Sequence, residues 1–351
     1  MFVWICLIIL VEVLTFGFTN KKLKAAGKRG IRILANIGFI LILLVTLRCA
    51  LFPPVGEMPT NGQYEITSNE YWLEEDRVDP YLESGDKRVL WVREWKPVDC
   101  DEEKPVVIAS HGSCGSIDNN RSMYRELASN GYTVLAVAHY GQSASFVFED
   151  GKSTGPSMIF IKQMTSLDPE NNPEEAFEVY KEWMDIRTTD LNTVMDDYNN
   201  KNGKTEFVAM GHSLGGSAAY AMARIRSDVI GVVALESPFM YDIEGVENGK
   251  YVFNQEDYNV PLLNIYSDSV YPHLFEADFS EYANNKLFLE RSNEQYTTIH
   301  YEGVGHMGLC DLSRQSPILA AMFSGGFQKV NARIQLDTLN KDCLEWIENI
   351  R

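Results

Sequence analysis

No pair among the six cysteines is spaced as metal ligands are. Glycine and proline, at 25 and 13 residues, sit at ordinary levels, which excludes a collagen-like or low-complexity chain. No internal repeat is visible, so a solenoid or propeller is not indicated. Basic residues are scarce, 31 Lys and Arg against 49 Asp and Glu, for a net charge of −18. That balance argues against nucleic acid as a partner. It would also repel anionic lipid unless something else holds the protein at a membrane. What is present is 351 residues with 45% hydrophobic and 11% aromatic side chains. This is enough core for one large domain or two ordinary ones.

The charge is unevenly spread. Residues 1–52 carry Lys21, Lys22, Lys24, Lys28, Arg29, Arg32 and Arg48 against Glu12 alone, leaving this head at +6 and the remainder at −24. Met1 to Phe18 is almost wholly apolar, and Ile31 to Phe52 is a second apolar run. Each is near the ~20 residues that a helix needs to cross a bilayer. The loop between them, residues 20–32, holds six Lys and Arg, and positive loops stay cytoplasmic. The expectation is a transmembrane hairpin over 1–52, with both ends outside, and a catalytic domain over 53–351 on the extracytoplasmic side. A cleaved signal peptide fits less well, because the first run lacks a basic opening and a small-residue cleavage site. Arg48 likewise spoils a lipoprotein box before Cys49. Two buried core helices would leave the six-charge loop unexplained. An outside location permits a disulfide among Cys100, Cys114, Cys310 and Cys343. Free buried thiols are the plain alternative.

The body alternates short β-rich runs with helical stretches. The runs are Val89–Glu94, Pro105–Ser110, Thr133–His139, Thr205–Met210, Val229–Leu235, Pro261–Tyr266 and Thr297–Tyr301. Tyr180–Tyr198 and Ala332–Ile350 carry apolar stripes at helical spacing: Met184, Leu191, Val194, Met195 and Tyr198 in one, Ile334, Leu339, Cys343, Leu344 and Ile347 in the other. This alternation predicts a mostly parallel sheet covered by helices on both faces. Residues 141–182 are longer than an ordinary connection and are expected to cap the site.

The chemistry centres on Gly211-His212-Ser213-Leu214-Gly215-Gly216, set between an apolar strand and a small-residue helix start. This is a G-x-S-x-G nucleophile elbow in strand–turn–helix context, which points to an α/β-hydrolase fold with Ser213 as nucleophile. A serine needs a base. The order Ser, acid, His leaves His273, His300 and His306. His306 lies in a loop just after a strand, where such sites assemble, whereas His300 alternates within the strand as a structural residue does. For the oxyanion hole, the Leu214 N–H follows the nucleophile, and the Ser113 N–H belongs to Ser110-His111-Gly112-Ser113, which follows an early strand. Two acids are available. Asp268 ends the run Pro261–Tyr266 but stands two residues before the usual position, which Val270 holds. Glu236 ends the previous strand and is favoured.

Taken together, these segments resemble the platelet-activating-factor acetylhydrolase family of serine esterases. The resemblance rests on Pro59–Tyr64 with Trp72 and Asp76–Pro80, on Ser110-His111-Gly112, on Ile186–Leu191, on Gly211–Gly216, on Ala234-Leu235-Glu236, and on Gly303–His306 with Asp311 behind. It covers about residues 59–315. It implies an acid where Glu236 stands, although the family usually has Asp there. A His-Arg-Asp of the family is replaced by His139-Tyr140-Gly141, which implies a different substrate pocket. The resulting expectation is a membrane-anchored carboxylic ester hydrolase, without metal or organic cofactor, acting on a small-molecule or lipid ester. The alternatives are a peptidase or thioesterase on the same triad, and a non-catalytic lipid- or partner-binding protein.

Overall fold

The structure, a computed structural model, describes residues 2–82, 85–276, 280–291 and 295–350, with side chains in the first helix described from Leu7 onward. Helix α1 (Phe2–Ala25) and α2 (Arg29–Leu51) pack side by side. Thr46 donates to Glu12 Oε1 at 2.6 Å, while Glu12 Oε2 is buried without a partner, and Phe16 stacks on Phe39 at 4.0 Å. Among the described residues one helix, α2, is long and apolar enough to cross a membrane. Many of its side chains are exposed, Leu34 by 69%, and Ala50 is buried. The expected first span begins with residues whose side chains lie outside those described.

Eight of the described strands form one sheet. In chain order they are β1 (Ile66–Val78), β2 (Lys87–Pro97), β3 (Val106–Ser110), β4 (Val134–Ala138), β5 (Phe207–His212), β6 (Val229–Leu235), β7 (Leu262–Ser267) and β8 (Tyr296–Tyr301). Their order across the sheet is β1-β2-β4-β3-β5-β6-β7-β8. β1 runs antiparallel to β2, and β2 to β4; every other pair is parallel. This is the α/β-hydrolase fold. β3 and β4 are buried at every residue, as strands covered on both faces must be, and so read as unbroken apolar runs. β1 did not stand out in the sequence. It is an edge strand with a half-exposed, acid-rich face, and its pattern is ITSNEYWLEEDRV.

Helices α3 (Arg121–Ser129), α4 (Met158–Ser166), α5 (Pro173–Asn202), α6 (Leu214–Ile225), α7 (Ala283–Glu290), α8 (Leu312–Gln315), α9 (Pro317–Phe323) and α10 (Ala332–Glu348) complete the body. On one face, Leu336, Leu339, Cys343 and Ile347 of α10 and Met123 and Leu127 of α3 share a core with the sheet. On the other, Leu191, Val194 and Met195 of α5 and Ala218, Ala219 and Met222 of α6 do the same. The expected stripe of α10 is displaced at its start: Ile334 is exposed and Leu336 is buried instead. The disulfide option is not realised, since Cys100, Cys114, Cys310 and Cys343 are all free.

The parallel register aligns the strand ends. Ser110 of β3 is level with Gly211 of β5, His212 with Leu235 of β6, and Leu235 with Ile265 of β7. The residues that follow these strands therefore emerge side by side at one sheet edge, together with the loop after β8.

Candidate active site

Ser213 sits between β5 and α6 with φ +54° and ψ −126°, a conformation that ordinary residues avoid. Such a backbone costs of order 1–3 kcal/mol and persists only where the surroundings enforce it. Here the enforcement is visible. A Cβ on Gly211 would lie 2.2 Å from the Gly215 carbonyl carbon, and one on Gly215 would lie 2.1 Å from the Ser110 oxygen. The Ser213 N–H donates to the Leu235 carbonyl at 2.8 Å, anchoring the turn to β6. The side chain is left half-buried at the sheet edge.

His306 opens a short turn (His306–Leu309) after β8. Its Nδ1 lies 2.7 Å from Glu236 Oε1. The other Glu236 oxygen accepts from the Ser267 N–H at 2.6 Å, and the Glu236 side chain is fully buried. Glu236, like Ser213, has a positive φ, +49°. The structure thus brings His306 and Glu236 together and places Asp268 elsewhere. Asp268 Oδ1 is 3.0 Å from His300 Nε2, and its Oδ2 accepts from the Gly303 N–H at 2.8 Å. His300 also stacks on Tyr271 at 4.1 Å. That pair pins the loop carrying His306 without touching the imidazole.

Ser213 Oγ makes no hydrogen bond to His306 among the described residues; such contacts often tighten only with substrate bound. The elbow and the histidine are nevertheless adjacent. The ring of His212 lies 4.5 Å from that of His306, and His212 Nε2 donates to the His306 carbonyl at 3.1 Å. Burial, with the neighbouring His306 adding to it, holds the His212 imidazole well below its ordinary range, so it stays neutral. Sequence reasoning missed two hydroxyls that set the histidine's backbone. The His306 N–H donates to Ser269 Oγ and the Met307 N–H to Ser324 Oγ, both at 2.9 Å. Single serines on separate loops leave no pattern from which this could be read.

The loop after β3 lies against the nucleophile: a Cβ on Gly112 would sit 3.3 Å from Ser213 Cβ. Cys114, at φ +50°, donates its N–H to the Gln142 carbonyl at 3.0 Å, and the Gly115 N–H donates to Gly112 at 3.0 Å. Among the described residues the Ser113 and Leu214 N–H groups have no intramolecular acceptor. Residues 141–182, expected as a cap, carry α4. Its Phe160 shares an apolar cluster with Trp183, Tyr180 and Leu214, and Met164 Sδ lies 3.9 Å from Cys114 Sγ. A surface cavity of about 900 Å³ between α5 and Met240–Ile243 includes none of the candidate catalytic residues. Among the described residues no group of three or more His, Cys, Asp or Glu side chains is placed to hold a metal.

Beneath the loop after β3 lies a buried polar network. The Arg187 guanidinium of α5 donates to the His111 carbonyl, to Ser110 Oγ at 3.1 Å and to Gln142 at 2.6 Å. Burial depresses it to about 9. Burial likewise lowers His139 to about 4, with Arg187 adding to the effect. The neutral His139 Nδ1–H therefore donates to Asp190 at 2.7 Å, while Nε2 accepts from Ser110 Oγ at 2.8 Å. Burial alone would raise the Asp190 carboxyl, but Arg88, bonded to both oxygens at 2.6 Å, overrides this and holds it low. Removing one member of such a buried set leaves the others uncompensated. Asp190→Ala should therefore cost about 3–5 kcal/mol, seen as a large fall in Tm of the purified protein. A Tm within a degree of wild type would contradict this account.

Asp311, behind His306, accepts from the Ser122 N–H and hydroxyl at 3.0 and 3.1 Å. Burial pushes its carboxyl up to about 6, against an ordinary 3.8. The folded state therefore holds this proton more tightly than the unfolded state does. The stability linked to it is complete below about 3.8 and is lost as pH rises through about 6. Asp311→Asn removes the titration. At pH 8 the variant should exceed wild type by about 3 kcal/mol, with the gap closing below pH 4, as measured by Tm across pH. A gap that does not vary with pH would refute this origin.

A hydrolase family model described as serine aminopeptidase, S33, matches residues 101–255, less than half of the chain but a stretch that includes the loop after β3, Gly211–Gly216 and Glu236. Among solved structures, a ferulic acid esterase from Streptomyces cinnamoneus is similar, with a TM-score of 0.61 and 19% identity, covering 83% of this chain and 92% of that one. A putative dienelactone hydrolase from Klebsiella pneumoniae aligns over 81% of this chain and 99% of its own at 15% identity, with a TM-score of 0.46. A search of curated proteins finds no match. The first of these structural likenesses, at such identity, speaks for the fold alone.

Proposed function

We propose that this protein is a serine hydrolase that cleaves carboxylic esters through an acyl-enzyme. The observation that carries the reading is the 2.7 Å contact of His306 Nδ1 with the buried Glu236, beside a serine held at φ +54°. In this reading Ser213 Oγ attacks the ester carbonyl as His306 Nε2 takes its proton. Glu236 fixes the tautomer and stabilises the imidazolium that forms. The Ser113 and Leu214 N–H groups receive the oxyanion, each worth about 3–4 kcal/mol. The ester C–O bond then breaks, and His306 returns the proton to the leaving alcohol. Water, deprotonated by His306, attacks the acyl-serine and releases the acid and free Ser213. The resemblance to platelet-activating-factor acetylhydrolases supports short-acyl or lipid esters as substrates. The description of the matching family model favours a second reading, hydrolysis of an aminoacyl amide on the same residues. The test is fluorophosphonate labelling with mapping of the adduct, followed by turnover of aryl esters of graded acyl length beside aminoacyl anilides. An adduct away from Ser213 would defeat both readings, and anilide turnover above ester turnover would favour the second.

The same proposal places residues 1–52 in the membrane as an anchor and residues 53–351 outside the cytoplasm. The apolar α2 and the six-charge loop before it support this. Protease added to intact cells should digest the body and spare residues 20–32. A protected body would invert the orientation.

A further inference from the structure

The body carries a deficit of basic residues, yet three arginines gather where α2 ends. The chain leaving α2 lies along the body: Ser316 donates to the Leu51 carbonyl, Arg314 to that of Gly56, and Arg125 to that of Met58 at 2.8 Å. Arg121 and Arg125 both pair with Glu57, the latter at 3.2 Å. These arginines line a cavity of about 240 Å³ together with Val55, Glu57 and Asp311. Within it the Arg121 Nε–H is buried and has no hydrogen-bond partner. Arg121 also lies 4.0 Å from Asp118, which Arg93 pairs with much more closely. Beside this cavity α9 packs against α2. Met322 and Phe323 on α9 are 70% and 62% exposed, and Phe52 and Val55 on the chain leaving α2 are partly exposed as well. Serine follows directly: Ser324 accepts the Met307 N–H next to His306.

With α2 spanning a bilayer, as proposed above, whatever touches Leu51 lies at headgroup depth. Arginines pair with phosphate bidentately, and apolar side chains at that depth enter the acyl boundary. We propose that this face, the foot of α2 with Arg121, Arg125, Arg314 and α9, is seated on the phospholipid bilayer. The arginines engage lipid phosphates, Met322 and Phe323 insert among the chains, and a membrane-dissolved ester reaches the His306 loop past α9. The inference rests on α2 crossing the membrane and deepens the ester-hydrolase reading.

The full chain in nanodiscs of phosphatidylcholine with phosphatidylglycerol tests it. Phe323→Trp should add fluorescence that bromine-labelled lipids quench, relative to the parent protein. Met322→Ser with Phe323→Ser should lower turnover of a long-chain ester dissolved in the bilayer at least about tenfold, less than the loss of one fully buried apolar side chain, while leaving an aqueous aryl ester unchanged. Arg121→Gln with Arg314→Gln should erase the gain in bilayer-ester turnover that phosphatidylglycerol gives. An unquenched Phe323→Trp indole, or a cross-linked dimer that shields it, overturns the proposal. Wild type released by carbonate washing would remove the membrane helix along with it. Absent turnover of the aqueous ester would instead strike the hydrolase reading, and the quenching result would still decide the docking.

Discussion

Ser213→Ala should leave a folded protein that no longer reacts with fluorophosphonate and loses ~10⁶ in kcat on an aryl ester, the scale seen when subtilisin loses its serine. The hydroxyl is the only atom removed. Ser213 Oγ makes no hydrogen bond among the described residues, so its deletion should move stability by less than about 0.5 kcal/mol. The left-handed backbone at φ +54° is as available to Ala as to Ser, since both carry a Cβ. The elbow and its two oxyanion donors therefore survive, and a residual rate from binding and oxyanion stabilisation of ~10³ over water is expected. Labelling that persists in the folded variant, shown by unchanged Tm, would mean that another residue is the nucleophile.

Glu236→Gln should lower kcat by ~10⁴, as the comparable loss of charge does in another serine enzyme. The amide keeps the size of the carboxyl but brings an N–H₂ group. One of its two atoms must face His306 Nδ1 and the other the Ser267 N–H, so the carbonyl can serve only one of these donors. An amide turned toward His306 with its N–H₂ favours the wrong imidazole tautomer. Asp268→Asn removes a charge too, but from a group that faces His300 and the Gly303 N–H. It should cost kcat less than about tenfold and show mainly as a small change in Tm. Both variants would be assayed on one short-chain aryl ester after a folding check. The reverse ranking would falsify the assignment of Glu236 and move the acid to the strand end after β7.

The two candidate acids show where sequence reasoning stops. Glu236 and Asp268 both end apolar strands, and both are spaced plausibly from Ser213. Which one meets His306 depends on the register of β6 beside β7 and on the course of the loop after β8. Neither is a local property. The same holds for Arg187 and Asp190. In sequence they are ordinary polar positions in a long helix, and only the packing of α5 behind β3 sets them under the loop that follows β3. β1 escaped notice for a related reason. An edge strand exposes one face, and its Glu and Asp residues carry no apolar alternation.

The sequence by itself determined what local chemistry can encode. The apolar length and basic flank of α2, the buried runs of the central strands, and the glycines that let a serine turn at Gly211–Gly215 are all legible because each depends on neighbours within a few residues. Tertiary structure decided which groups share a charge. It joined Glu236 to His306 and Asp268 to His300, closed Arg88 on Asp190, and set three arginines at the foot of α2. The physical reason is that hydrogen bonds and ion pairs act over about 3 Å between groups up to 265 residues apart, as Ser316 and Leu51 are. Such pairings follow from the register of the sheet and the packing of its helices, which no short stretch of sequence contains.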